Sequence, residues 1–109
     1  MPTQCLMVFC SVPNAEKGGE IAEILVSERL CACVNLMNDL KSFYWWSGKV
    51  QKDPEALMIL KTTTDKYEAL EQRILALHPY RVPEVLALPV VQGAGAYLDW
   101  VRAETELNA

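Results

Sequence analysis

The chain has 109 residues, of which 51% are hydrophobic and 22% are charged, and its net charge at pH 7 is −4. This composition indicates one globular domain over residues 1–109, with enough apolar side chains to fold without a metal or a disulfide framework. The basic residues are scattered and form no run, which disfavours nucleic acid and anionic membranes as partners.

The first half of the chain predicts a strand, a helix and a long hairpin. Residues 4–12 are apolar at odd and even positions, as in a central strand covered on both faces. Asn14 then caps a helix that runs to about Arg29. Three more segments predict a long bent hairpin, with turns near Ser47-Gly48 and Asp53-Pro54: residues 31–36, 41–46 and 55–63.

A second helix follows the hairpin. Its N-cap is predicted at Thr64 or Asp65, and Glu68 lies three residues after Asp65, as in a capping box. Apolar residues then recur at helical spacing until Pro79 stops the helix.

A last strand and a last helix complete the chain. Residues 84–91 predict a strand, and Pro89 within it favours a sheet edge or a bulge. Glycines near residues 93–95 predict a turn, and residues 96 to about 107 predict an amphipathic helix. The order of elements predicts an α+β fold, the ferredoxin-like split βαβ sandwich with an extended hairpin and an added C-terminal helix. Its sheet order, 4-1-3-2, brings the end of the first strand beside the start of the fourth.

That adjacency defines one candidate metal site. Cys10 lies near the end of the first strand, His78 ends the second helix, and Glu84 opens the last strand. A thiolate with an imidazole suits copper or zinc. The alternative is a small core cysteine and a histidine that interacts with the end of a helix.

Two further motifs each allow two interpretations. Cys31 and Cys33 either bind a soft metal or pack as small side chains beneath a helix. In the run from Phe43 to Trp46, alternation sends Phe43 and Trp45 to one face and Tyr44 and Trp46 to the other. Aromatic residues on both faces predict cover by another subunit, and the competing interpretation is a stacking platform for a base or sugar.

Catalysis is not indicated, because the single histidine has no recognisable catalytic partner and no phosphate-binding loop is present. Lys49, Lys61, Arg81 and Glu84 could line a polar cleft between subunits, or could simply be solvated charges. The start of the chain shows no secretory signal pattern and no apolar run reaches about 18 residues. We therefore expect a cytoplasmic protein without a membrane segment, whose cysteines stay reduced.

Seven short segments, in order and over nearly the whole chain, resemble the CutA family of divalent-cation tolerance proteins: residues 28–35, 44–49, 60–62, 78–80, 83–85, 88–90 and 97–100. The resemblance implies a ferredoxin-like subunit, a tight homotrimer that pairs edge strands, a cytosolic location and a link to divalent metals, with copper as one bound ion.

The same resemblance implies the identity of the metal ligands. The family's ligands are a cysteine in the first strand, matched by Cys10, and two adjacent histidines before Pro-Tyr. His78 matches the second histidine, whereas Leu77 stands in place of the first. Water or Glu84 would have to complete the site.

Two functions follow as hypotheses. The first is a metal-homeostasis protein that binds copper or another divalent metal at Cys10, His78 and Glu84. The second is a trimeric signalling or adaptor module, similar to PII-type proteins, that binds a small ligand in clefts between subunits.

Overall fold

A computed structural model describes residues 3–106 as three helices and four strands. The elements are β1 (Cys5–Val12), α1 (Ala15–Ser27), β2 (Cys33–Trp46), β3 (Lys49–Thr63), α2 (Thr64–Leu77), β4 (Leu86–Pro89) and α3 (Gly95–Glu106). Within the described residues, no helix is long and apolar enough to cross a membrane.

The four strands form one antiparallel sheet in the order β2-β3-β1-β4. This order confirms the ferredoxin-like prediction, including the pairing of the end of β1 with the start of β4, where Phe9 lies opposite Leu86. Pro89 lies at the end of the edge strand β4, opposite Leu6. The missing proline N–H is tolerated there, as predicted.

One face of the sheet carries the hydrophobic core. Side chains alternate along a strand, so the even-numbered residues of β1 and the inner half of β3 share this face. Helices α1 and α2 cover it. Its fully buried members include Val8, Met58, Leu60, Leu25 and Ile74.

The hairpin is longer and more continuous than predicted. The two predicted strands over residues 31–36 and 41–46 form the single strand β2, and the turn expected at Asp53-Pro54 is wrong. Pro54 pairs with Lys41 inside the ladder. β1 ends opposite Ala56, so Pro54 removes no hydrogen bond to β1. The predicted turn at Ser47-Gly48 is present, and both residues have positive φ.

A bulge bends β2 halfway along its length. Met37 pairs with Leu57 but Leu40 pairs with Glu55, so β2 has one extra residue, and Asp39 has a φ of 62°. The extra residue exchanges the two faces of β2 beyond this point. Tyr44 therefore lies on the same face as Glu55, and on the face opposite the helices.

The ends of the helices differ in detail from the predictions. Asn14 caps α1 as predicted, accepting a hydrogen bond from the N–H of Lys17 at 2.8 Å, but α1 ends at Ser27, before Arg29. The capping box predicted for α2 is wrong, because the N-cap is Thr63 and makes no side-chain cap bond. The N–H of Thr64 instead donates to the Gln4 carbonyl, a tertiary contact that no local pattern reveals.

The last two elements also have shifted bounds. β4 is shorter than predicted and leaves Glu84 just before the strand. α3 begins at Gly95, one residue earlier than predicted, and residue 107 of its predicted end lies outside the described residues.

Candidate functional site

A cleft of about 560 Å³ opens where the outer hairpin meets the segment between α2 and β4. The hairpin contributes Tyr44, Trp46 and Glu55, and the segment before β4 contributes Tyr80, Arg81 and Glu84. Aromatic rings and ionisable groups thus share one concave surface, as in many ligand sites.

A tyrosine–glutamate contact forms the wall of this cleft. The Tyr80 hydroxyl donates to Glu55 Oε2 at 2.6 Å, although the two residues belong to different elements. Glu55 is only 8% exposed, which is unusual for a carboxylate and requires such a partner. A second hydroxyl–carboxylate contact nearby joins Tyr44 to Asp53 on the same face of the hairpin. These contacts fix the orientation of two of the aromatic rings.

Two of the three predicted metal ligands, Cys10 and His78, approach the same backbone group at one end of the sheet, the carbonyl of Ser11. The Cys10 thiol lies 3.7 Å from the Ser11 carbonyl oxygen, and His78 Nε2 lies 2.8 Å from the same oxygen. Glu84 lines the adjacent cleft, and after burial its charge is the next cause that raises the pKa of the Cys10 thiol. The adjacency inferred from the topology is therefore present.

Both ring nitrogens of His78 are already engaged. The backbone N–H of Tyr80 donates to Nδ1 at 3.0 Å, so this nitrogen carries the lone pair. Nε2 must then carry the hydrogen and donate to the Ser11 carbonyl. A metal ion would need one of these nitrogens, and binding would break one of the two hydrogen bonds.

Cys10 is held in its thiol form. Burial, followed by the charges of Glu84 and Glu55, raises the pKa of the Cys10 thiol to about 12. On the order of one thiol in 100,000 is then ionised at pH 7, and the thiolate is the form that binds soft metals. Within residues 3–106, no three His, Cys, Asp or Glu side chains are grouped as a metal site. This arrangement does not fit a resident soft metal without rearrangement.

The other cysteines follow the packing interpretation more closely than the metal one. Cys31 belongs to the core, and burial raises its thiol pKa to about 12. Cys33 begins β2, is half-buried, and lies 4.0 Å from the Lys61 ammonium. All four cysteines are free thiols.

The aromatic run divides between two faces as predicted. Phe43 lies near the Lys52 ammonium and also lines the cleft, whereas Trp45 lies opposite Val50 on the face of the hairpin that does not carry Glu55. On this face Trp45 is 74% exposed, whereas Tyr44, on the cleft face, is 40% exposed. Trp45 is thus the most exposed ring of the aromatic run.

Four charged residues were considered for a cleft between subunits, and two of them line this cleft within one chain. Arg81 and Glu84 line it, but Lys49 lies at the hairpin tip and Lys61 lies on inner β3, where it contacts Asn35. Glu55 and Tyr80 were missed as a site pair. The available signal was a charged residue directly before the apolar run of residues 56–60, but only the strand register shows which face of the sheet carries it.

The profile of the family described as "CutA1 divalent ion tolerance protein" matches residues 6–104. The chain belongs to this family. A relative from Thermus thermophilus, named "Divalent-cation tolerance protein CutA", is 48% identical over 99 residues, covering 91% of this chain and 96% of the relative. The rice relative "Protein CutA 1, chloroplastic" is 45% identical over 92% of this chain, which spans only 56% of that protein.

Solved structures of the CutA1 family share the fold. The Thermus thermophilus divalent cation tolerance protein superposes with a TM-score of 0.90 at 47% identity, over 92% of this chain and 97% of that one. The family confirms the resemblance found from the sequence motifs. Its name describes tolerance of divalent ions and no chemical reaction.

Proposed function

We propose that this chain contributes to divalent-cation tolerance as a homotrimer that binds a small ligand in the hairpin cleft, in a binding role and not a catalytic one. The observation that carries the proposal is Glu55, a carboxylate that is 8% exposed on the wall of a cavity of about 560 Å³. Placing a charge there is costly for folding and is typical of a site with a purpose other than stability.

A thermal-shift screen of the purified protein with nucleotides, amino acids, amines and organic acids tests the ligand proposal. A ligand that binds only the folded protein raises the unfolding temperature as its concentration exceeds Kd. We expect at least one class to stabilise the wild type and to stabilise Tyr80→Phe less, since that change removes the contact with Glu55. No shift with any compound would contradict a small-ligand role.

The homotrimer is supported by two separate apolar surfaces on one chain. The outer hairpin face exposes Phe43 (65%), Trp45 (74%) and Val50 (61%). The strand β4, at the edge of the sheet opposite to β2, exposes Leu86 and Leu88. Two different apolar patches suit a head-to-tail contact between copies, which closes into a ring when the rotation allows.

Trp45→Glu is expected to shift the assembly from three chains toward one, because a carboxylate would be buried at the contact without a partner. Multi-angle light scattering measures the mass. Gln72→Glu adds the same charge at an exposed position of α2 and should leave the mass unchanged. A single-chain wild type, or an unaffected Trp45→Glu mass, would contradict the assembly.

Copper binding at Cys10, His78 and Glu84 is the second candidate function. The convergence of Cys10 and His78 on the Ser11 carbonyl favours it, since displacing this one acceptor would free both groups. The high pKa of the Cys10 thiol opposes it, because each bound ion must release a thiol proton.

This candidate makes a prediction about pH. Copper(I), copper(II) or zinc(II) affinity at this site should rise about tenfold from pH 7 to pH 8, since one proton leaves per ion. Isothermal titration of the reduced protein measures it. Cys10→Ser should abolish the binding, and Cys33→Ser, at a half-buried cysteine outside the site, should not. A metal affinity that does not change with pH and is the same in Cys10→Ser would exclude this site.

We also propose a reducing compartment, the cytoplasm. Four free thiols support this assignment. Fractionation of cells carrying a tagged chain would test it.

A further inference from the structure

The charges around the cleft are predominantly negative. Glu55 and Glu84 line it, and Asp53 contacts the Tyr44 hydroxyl on the same face. Among the described residues that line the cleft, Arg81 is the single basic one. The negative charges of Glu55 and Glu84 on one cleft oppose the entry of a further negative charge. A ligand that enters this field is favoured if it carries positive charge.

One oxygen of Glu55 is available to such a ligand. Oε2 accepts the Tyr80 hydroxyl, and Oε1 makes no hydrogen bond to any described residue. Every fully buried side-chain polar atom of the described residues has a partner, so Oε1 must retain access to solvent. Because Glu55 lines the cleft and is otherwise buried, this access is through the cleft.

The walls around this carboxylate are aromatic. Tyr44, Trp46 and Tyr80 line the same cavity, and the hydroxyls of both tyrosines are tied to carboxylates. Aromatic faces attract cations that are weakly hydrated, and quaternary ammonium groups are recognised in this way. A small, strongly hydrated metal ion gains less from such walls and needs several oxygen ligands.

We propose that the cleft binds an organic ammonium ion, with its positive head against Glu55 and its alkyl groups against Tyr44, Trp46 and Tyr80. This inference rests on the proposed ligand-binding function and names the chemical class of the ligand. The contribution of Glu55 is charge, and the contribution of the rings is a polarisable surface that replaces water around the alkyl groups.

Choline is the probe, and its neutral isostere 3,3-dimethylbutan-1-ol is the matched control. The two have the same shape, so the difference in affinity isolates the charge. Isothermal titration of the assembled wild-type protein should show choline binding at least about tenfold more tightly than the alcohol, since charge recognition of this kind is strongest in a partly desolvated site.

Three variants localise the binding. Glu55→Gln keeps the size and an acceptor for Tyr80 and should weaken choline binding at least about tenfold. Trp46→Leu removes a half-exposed ring of the cleft and should weaken it too, which keeps the test decisive if Glu55→Gln fails to fold. Glu23→Gln removes a carboxylate at an exposed position of α1, outside the cleft, and should leave the affinity for choline unchanged.

The outcomes separate the two proposals. Equal affinity for choline and the alcohol, or binding unaffected by both Glu55→Gln and Trp46→Leu, would overturn the ammonium assignment. Stabilisation by an anionic or neutral metabolite with no choline binding would also overturn it, while leaving the cleft as a ligand site. Failure of every compound in the screen would overturn both.

Discussion

Replacing Ile74 by alanine is expected to lower the free energy of unfolding by about 2–5 kcal/mol, the largest effect of a single substitution predicted for this chain. Ile74 lies on α2 and is fully buried in the core. Its truncation removes apolar contacts and leaves a cavity, because the surrounding core residues can move only partly into the empty space.

The neighbouring residue provides the control. Leu75 follows Ile74 on the same helix but is 46% exposed, so Leu75→Ala should cost less than about 1 kcal/mol. Chemical denaturation at one fixed protein concentration measures both, since association would make the unfolding midpoint depend on concentration. Equal losses for the two variants would show that α2 does not pack on the sheet as described.

The adjacent glycines of α1 are expected to respond to alanine with opposite signs. A Cβ on Gly18 would lie 2.9 Å from Val12 Cγ2 and 2.8 Å from Leu36 Cδ1, both closer than real contacts. Leu36 can turn its side chain, but Val12 is β-branched and fully buried, so the helix or strand must shift. Overpacking of this kind costs about 1–3 kcal/mol, and the gain in helix propensity, about 1 kcal/mol, offsets only part of it.

Gly19 has nothing within 4 Å of the corresponding position. Gly19→Ala should therefore raise the free energy of unfolding by about 0.5–1 kcal/mol through helix propensity alone. Each variant adds one methyl group, at neighbouring positions of the same helix. Chemical denaturation should show free energies of unfolding that differ by about 2 kcal/mol between the two variants. A stabilised Gly18→Ala would mean that α1 lies farther from β1 than its contacts indicate.

Elements with strong local patterns could be predicted from the sequence. The apolar run of β1, the Asn14 cap and the Ser47-Gly48 turn are local signals, and the structure contains all three. The order of strands and helices then predicted the sheet order, because few topologies connect these elements.

Features that depend on distant residues could not be predicted. The start of α2 is a clear case: Asp65 was expected to cap the helix, yet its own N–H donates to the Thr3 hydroxyl at 3.2 Å. A residue near the start of the chain thus accepts a hydrogen bond from a backbone N–H in the first turn of α2. No local pattern carries that information.

The candidate site shows the same division. Topology was sufficient to bring Cys10 and His78 to one end of the sheet, but their hydrogen bonds to Ser11 depend on side-chain rotamers and were not predictable. The contact between Tyr80 and Glu55 depends on the register of the hairpin. The single extra residue near Asp39 changes that register.

This extra residue also determines which residues of β2 and β3 meet at the tip of the hairpin. Met37 pairs with Leu57, so a regular ladder continued from there would place Trp46 opposite Gly48 and leave one residue for the turn. With the extra residue, Trp46 pairs with Lys49, and Ser47 and Gly48 form a two-residue turn. One inserted residue in the middle of β2 thus allows the two strands to close in a tight turn at the far end of the arm.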